Sequence, residues 1–168
     1  RRNALQQVAA LQPDIVILGS VQTANFDRTQ WIEGTARLLK VISGSAGHVY
    51  ILRGTPHLPF DGPSCLSSKN WLPWLHLRRG TCQAPVFSKS DNDVYQWLQE
   101  ASRRFGNVSM LDLNDVICPG GQCYAEQDGK VVFRDSQHMT ATFARFLGKE
   151  LSQRLNMESP PDQSGQVR

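Results

Sequence analysis

Gln12-Pro13-Asp14-Ile15-Val16-Ile17-Leu18-Gly19-Ser20 is the stretch that decides the fold. Pro13 ends any helix before it, because it offers no backbone amide and restricts the residue that precedes it. Ile15 to Leu18 then form an unbroken apolar run, the pattern of a parallel strand buried on both faces. Upstream, Ala4, Leu5, Val8 and Leu11 recur at helical spacing, which predicts a helix over 3–11. Downstream, Trp31, Ile32, Leu38, Leu39 and Ile42 line one face of a helix over roughly 28–43, followed by the strand Val49-Tyr50-Ile51-Leu52. A third helix is predicted over 91–105, with Val94, Trp97, Leu98, Ala101 and Phe105 inward and with Ser90 and Asp93 placed as a capping box. Strands follow at 108–113 and, after the Asp128-Gly129 turn, at 130–133. The segment between Arg53 and Ser90 is rich in Pro, Gly and Ser, and reads as one long loop with room for a short helix. Alternating strands and helices without an internal repeat make a parallel α/β sandwich.

A sheet of that kind places its site at the carboxyl ends of the strands, which puts Gly19-Ser20-Val21-Gln22 in a site segment. A second candidate lies near the C-terminus, in Asp135-Ser136-Gln137-His138. A histidine acting as general base needs one ring nitrogen free and a carboxylate fixing the other. In a turn, a three-residue spacing lets Asp135 reach the Nδ1 side of the His138 ring. Thr140 is placed as the N-cap of a last helix whose apolar positions are Phe143, Phe146, Leu147 and Leu151. The other histidines, His48, His57 and His76, read as surface residues.

Composition limits the function classes. A chain of 168 residues with 40% apolar content can bury a core as one domain, and a formal charge of +3 is too small to point to nucleic acid. Arg78-Arg79 and Arg103-Arg104 are isolated pairs rather than a basic stripe. No apolar run approaches the roughly 20 residues that span a bilayer. The chain opens on Arg1 without a methionine or signal peptide, so it reads as a processed or excised piece. Residues 157–168 have the composition of a disordered tail, which sets the domain at 1–155 and the tail at 156–168. Four cysteines allow three pairings. Local pairing, Cys65 with Cys82 and Cys118 with Cys123, is the economical arrangement, with free buried thiols or a zinc site as alternatives. Zinc is poorly matched by this spacing, and neither metal nor organic cofactor is expected.

From Val116 to Leu147 the chain reads VICPGGQCYAEQDGKVVFRDSQHMTATFARFL, with a Cys-bounded loop, a DG turn, an F-R-D strand end and then H-M-T. This order resembles the last block of the SGNH hydrolase/acyltransferase family, and in particular the periplasmic SGNH domain fused to acyltransferase-3 membrane proteins in bacteria. Upstream, QPDIVILGS looks like that family's central strand. W-x-x-G-T-x-x-L-L from Trp31 and GHVYILRGTPHLPFDGPSCL from Gly47 look like its next helix, strand and Cys-bearing loop. The resemblance covers about residues 3–155. It implies a three-layer α/β/α sandwich, SGNH-hydrolase-like and flavodoxin-like, that lacks its first strand here. It implies disulfides and a periplasmic setting. It also implies Asp135 and His138 as the acid and base of a serine acyl-enzyme mechanism, with Gly19, Ser20, Gln22 and Asn25 as candidates for holding the oxyanion or substrate.

The family's serine lies in a G-D-S block, and this sequence contains none. The resemblance therefore places the serine before Arg1 and leaves the chain alone inactive. Ser20 follows a strand and a glycine and is the alternative nucleophile, whereas Ser136 adjoins the pair too closely to present its Oγ to His138. The implied reaction is transfer of an acetyl group, delivered by a membrane acyltransferase domain, to hydroxyls of a cell-surface polysaccharide. A periplasmic carbohydrate esterase uses the same residues with water as acceptor. A non-catalytic polysaccharide-binding remnant, with Trp71 and Trp74 stacking on sugar rings, is the third reading. An open sheet edge is also expected to be coverable by a second copy of the chain.

Overall fold

The computed structural model of the chain describes residues 2–19, 26–70, 81–86 and 88–158. Two compact units are present. The first comprises residues 1–57 and 85–115, and the second residues 58–84 and 116–168.

The first unit holds the helices α1 (Arg2–Leu11), α2 (Arg28–Ile42) and α4 (Lys89–Ser102) and the strands β1 (Ile15–Gly19), β2 (His48–Leu52) and β4 (Val108–Leu111). The strands form a parallel sheet in the order β1-β2-β4, with Ile15 opposite His48 and Val49 opposite Val108. Leu39, Ile42, Val49, Ile51, Val94 and Leu98 make its buried core, on which Leu5, Val8, Val16, Leu18 and Met110 pack. Alternate residues of the strands thus meet α1, α2 and α4 on one face, as the period of two dictates.

The start of the sheet is tied by backbone contacts. Gly47 N–H donates to the Pro13 carbonyl at 3.0 Å and His48 N–H to the Asp14 carbonyl at 2.8 Å. A Cβ on Gly47 would lie 2.7 Å from the Asp14 oxygen, so only glycine lets β1 and β2 approach there. The Asn107 amide donates to the carbonyls of Ser43, Ala46 and Gly47 and locks the turn between α2 and β2. Asp27 caps α2, accepting from Gln30 N–H while the Gln30 side chain accepts from Asp27 N–H.

Several expectations are corrected. β1 is not buried on both faces: Ile15 is 43% and Ile17 41% exposed, because β1 is an edge strand of the three described and one of its faces is left open. Leu11 ends α1 at 77% exposed, and Phe146 on the last helix is 46% exposed, so neither joins the core expected from helical spacing. The third helix begins at Lys89 rather than 91. The sequence Ser88-Lys-Ser-Asp-Asn-Asp offers two Ser-x-x-Asp boxes offset by two, and the earlier one, Ser88 with Asp91, forms the cap. Strand β4 stops at Leu111, two residues short of its expected end.

The second unit is built around disulfides and short strands. It holds α3 (Gly62–Asn70), β3 (Gln83–Pro85) paired with β5 (Gln122–Tyr124), a hairpin of β6 (Glu126–Gln127) and β7 (Lys130–Val131), and the last helix, α6 (Ala141–Glu158). A four-residue helix, α5 (Asn114–Ile117), leads into it. The hairpin turns through Asp128 and Gly129 with φ of 47° and 71°, the paired positive angles for which Asp-Gly is suited. Cys65–Cys82 and Cys118–Cys123 are both disulfides, the local pairing. Leu58, Cys118, Cys123, Ala125, Val132, Phe133, Phe143 and Leu147 are each buried. Helix α6 runs to Glu158, past the expected boundary at 155, and residues 159–168 lie outside the described ones.

Candidate active site

The loop that carries Asp135 and His138 is pinned at its base. Phe133 and Met139 form an antiparallel bridge, Arg134 N–H donates to the His138 carbonyl at 2.7 Å, and Thr140 N–H donates to the Val132 carbonyl at 2.9 Å. Thr140 also caps α6: its hydroxyl accepts from Phe143 N–H at 3.2 Å and donates to the Val131 carbonyl at 2.6 Å. Burial of Phe133 and Phe143 anchors both ends of the loop in the core, so five residues, Arg134 to His138, span a fixed gap.

Within the loop, Asp135 does three things at once. Its Oδ1 accepts from the backbone N–H of Gln137 at 2.8 Å and of His138 at 2.7 Å, and its Oδ2 meets His138 Nδ1 at 2.8 Å. The two backbone amides, then the imidazole, hold the carboxyl at about 2, well below the ordinary carboxylate range. Arg134 Nε stands 4.0 Å away and adds positive charge. A carboxylate ionised at neutral pH can only accept, so the hydrogen between the two residues sits on Nδ1. That assignment leaves the Nε2 lone pair as the one that can take a proton, the tautomer a general base requires. The side chains of His138 and Asp135 are 58% and 37% exposed, so the pair is reachable from solvent.

The remaining candidates are distributed differently. Gly19 is the last residue of β1, at the carboxyl end of its strand, with open space where a Cβ would be. Ser20, Gln22 and Asn25 lie outside the described residues, as do Trp71, Trp74 and His76. His48 is half-buried rather than a surface residue: its Nε2 pairs with Ser109 Oγ at 2.9 Å and its ring packs on Tyr50 at 4.5 Å. His57 is exposed. Among the described residues no group of His, Cys, Asp and Glu is arranged to hold a metal. No helix of the described residues is long and apolar enough to cross a membrane.

One polar cluster was missed by sequence reasoning. At the carboxyl ends of β2 and β4, Arg53 donates to Asp112 Oδ2 at 2.8 Å and to Asn92 Oδ1 at 2.6 Å, and its guanidinium lies 4.2 Å from the Tyr95 ring centre. Asn114 donates to Asp112 Oδ1 at 2.8 Å and to the Gly54 carbonyl at 3.3 Å. Arg53 and Asp112 directly follow β2 and β4, at the same carboxyl ends of the sheet as Gly19. Burial and the Asp112 charge raise the Tyr95 phenol, keeping it neutral beside the Arg53–Asp112 pair.

The chain belongs to the family described as the SGNH domain fused to AT3 domains, whose match covers residues 1–153. Among solved structures it is similar to the periplasmic domain of a lipopolysaccharide acetyltransferase from Salmonella ser. Paratyphi A. That match has 13% identity and a TM-score of 0.70, and covers 92% of this chain and 61% of the other. The chain therefore spans about three fifths of that domain. No curated protein sequence matches it.

Proposed function

We propose that this chain is the acid- and base-bearing portion of an extracytoplasmic SGNH domain that transfers an acetyl group to hydroxyls of a cell-surface polysaccharide. The observation that carries the reading is the 2.8 Å contact between His138 Nδ1 and Asp135 Oδ2 on a loop pinned at both ends. In the proposed cycle a serine, supplied by a segment outside this chain, gives its proton to His138 as its oxygen attacks the acetyl donor presented by a membrane acyltransferase domain, and the proton passes to the donor's leaving group as the donor–acetyl bond breaks. His138 Nε2 then removes the proton from a sugar hydroxyl as that oxygen attacks the acyl carbon. Asp135 stabilises the imidazolium that forms, and the proton passes to the serine oxygen as the acyl–serine bond breaks.

Three observations support placing the serine outside the chain. The sequence holds no Gly-Asp-Ser triplet. The chain spans 61% of the Salmonella periplasmic domain. One face of the edge strand β1 is open at Ile15 and Ile17. Membership in a family fused to AT3 domains supports the membrane donor, and two disulfides support an oxidising compartment. The direct test is acetyl transfer by the full-length protein carrying His138→Ala. Loss of transfer is expected, while transfer at the wild-type rate removes the histidine from the mechanism.

The exposure of His138 and Asp135 also favours a second reading, in which water replaces the sugar hydroxyl and the domain is an esterase. Product analysis separates the two, because free acetate without acetylated glycan identifies hydrolysis.

A further inference from the structure

The loop bearing Asp135 and His138 rests on another stretch of its own unit, between Leu58 and Cys65. Leu58 N–H donates to the Ser136 carbonyl at 2.7 Å, and Gly62 N–H donates to the Asp135 carbonyl at 3.4 Å. Gly62 is buried against the loop. A Cβ there would lie 3.2 Å from the Phe133 carbonyl oxygen, 3.3 Å from Phe133 Cβ and 3.5 Å from the Asp135 carbonyl oxygen. These are atoms that cannot swing aside: Phe133 is fully buried and bridged to Met139. Gly62 needs no unusual backbone angle, so its requirement is space alone.

The supporting stretch is itself tied down. Asp61 caps the start of α3, its Oδ1 accepting from Ser64 N–H at 2.9 Å while its carbonyl accepts from Cys65 N–H at 3.0 Å. Cys65 is joined to Cys82, whose carbonyl accepts from Ala125 N–H at 2.9 Å. A covalent and hydrogen-bonded path thus runs from the β5–β6 region through the disulfide and α3 to the backbone of Asp135.

We propose that Gly62 is a positioning residue for Asp135 and His138, and that the Cys65–Cys82 disulfide holds this seat, so that acyl transfer is sensitive to the state of that bond. The inference rests on the acid and base reading above. The reductant is a small dithiol: it delivers two electrons and two protons to the bond, leaves as its own cyclic disulfide, and yields two cysteine thiols. With the tether cut, α3 is free to shift, and the Asp135 loop loses its fixed support.

The readout is the ionisation of Asp135, set first by the two amides on Oδ1 and so sensitive to loop geometry. The other charged groups that face it are His138, Arg134 at 4.0 Å and the like-charged Asp61. Carbon NMR of the Asp135 carboxyl at pH 3 follows it in the chain itself, with amide spectra reporting that each variant is folded. A carboxyl titrating at about 2 is roughly nine-tenths ionised at that pH. Gly62→Ala is expected to raise the midpoint, and Gly62→Val to raise it by roughly one unit, which brings the ionised fraction near one half. Cys65→Ser/Cys82→Ser and dithiol-treated wild type should shift it in the same direction. Gly148→Ala, on α6 with open space around it, should leave the midpoint unmoved. A folded Gly62→Val with the wild-type midpoint overturns the proposal. If that variant does not fold, an unmoved midpoint in Gly62→Ala and in the disulfide variant does so instead. Because the titration reads geometry, an inactive role for His138 in transfer would leave this result standing, and the two failures are separable.

Discussion

Replacing Gly47 by alanine tests the parallel sheet at the point where β1 and β2 first meet. The added Cβ would sit 2.7 Å from the Asp14 carbonyl oxygen, 3.3 Å from Asp14 Cα and 3.4 Å from its carbonyl carbon. All three are backbone atoms, so relief requires the start of β1 to retreat by about 0.5 Å or more rather than a side chain to rotate. That retreat stretches the bonds from Gly47 N–H to Pro13 and from His48 N–H to Asp14, now 3.0 and 2.8 Å. Overpacking of this kind costs about 1–3 kcal/mol, and weakening one hydrogen bond adds about 1 kcal/mol. A loss of about 2–3 kcal/mol is therefore expected in urea denaturation. Gly106→Ala is the matched control: its Cβ would meet nothing within 4 Å, so it should be neutral or stabilising by about 0.4–1 kcal/mol. Amide exchange at His48 should quicken only in the Gly47 variant. Equal stability of the two variants, within about 0.5 kcal/mol, would refute the claim that close approach at Gly47 sets the sheet.

Removing Cys65–Cys82, which closes a separation of 17 residues, should cost about 3 kcal/mol by loop entropy, against about 2 kcal/mol for Cys118–Cys123 with a separation of 5. Thermal melts of the two double-serine variants give the order. Asp135 has a lowered value in the folded chain, so the stability it lends is fully present above its ordinary value of 3.8 and is lost as pH falls through about 2. The stability difference between wild type and Asp135→Asn should accordingly be flat near neutral pH and shrink from pH 4 downward. Arg28–Glu100 joins α2 to α4 with side chains 59% and 44% exposed, so Arg28→Ala should lose less than about 1 kcal/mol. In about 1 M salt that difference should vanish.

The parts of the fold that sequence reasoning reached are those set by local pattern. The helices from Arg28 and to Leu11, the strand from Ile15, the Asp128-Gly129 turn and the Thr140 cap all follow from spacing, chirality or capping chemistry within a few residues. Exposure of Ile15 and Ile17 was not legible, because an apolar run does not reveal whether its strand lies at an edge of the sheet. The choice between the two overlapping capping boxes at Ser88 and Ser90 turned on helix placement, which their shared motif leaves degenerate. At the site, the Asp135–His138 contact was legible from its three-residue spacing only together with the resemblance of the Val116–Leu147 block, since the spacing alone is a weak pattern. The double amide bond to Asp135 Oδ1 is equally local, made by residues two and three positions on, whereas the packing of Gly62 beneath the loop was not legible, since it joins residues more than 70 positions apart. The Arg53 cluster was equally hidden, since Asn92 and Tyr95 lie on α4 and Asp112 follows β4, all far from Arg53 in sequence.

We propose His138, oriented by Asp135, as the base of an acyl transfer, and single-turnover acetyl transfer to glycan in the full-length protein, comparing wild type with His138→Ala and Asp135→Asn, tests that role. Asparagine keeps an oxygen for the Gln137 and His138 amides but presents an NH₂ to Nδ1, which favours the wrong tautomer. Both variants are expected to lose about 10²–10⁴-fold in the transfer step with the fold intact. Transfer by a folded His138→Ala protein at the wild-type rate would contradict that role.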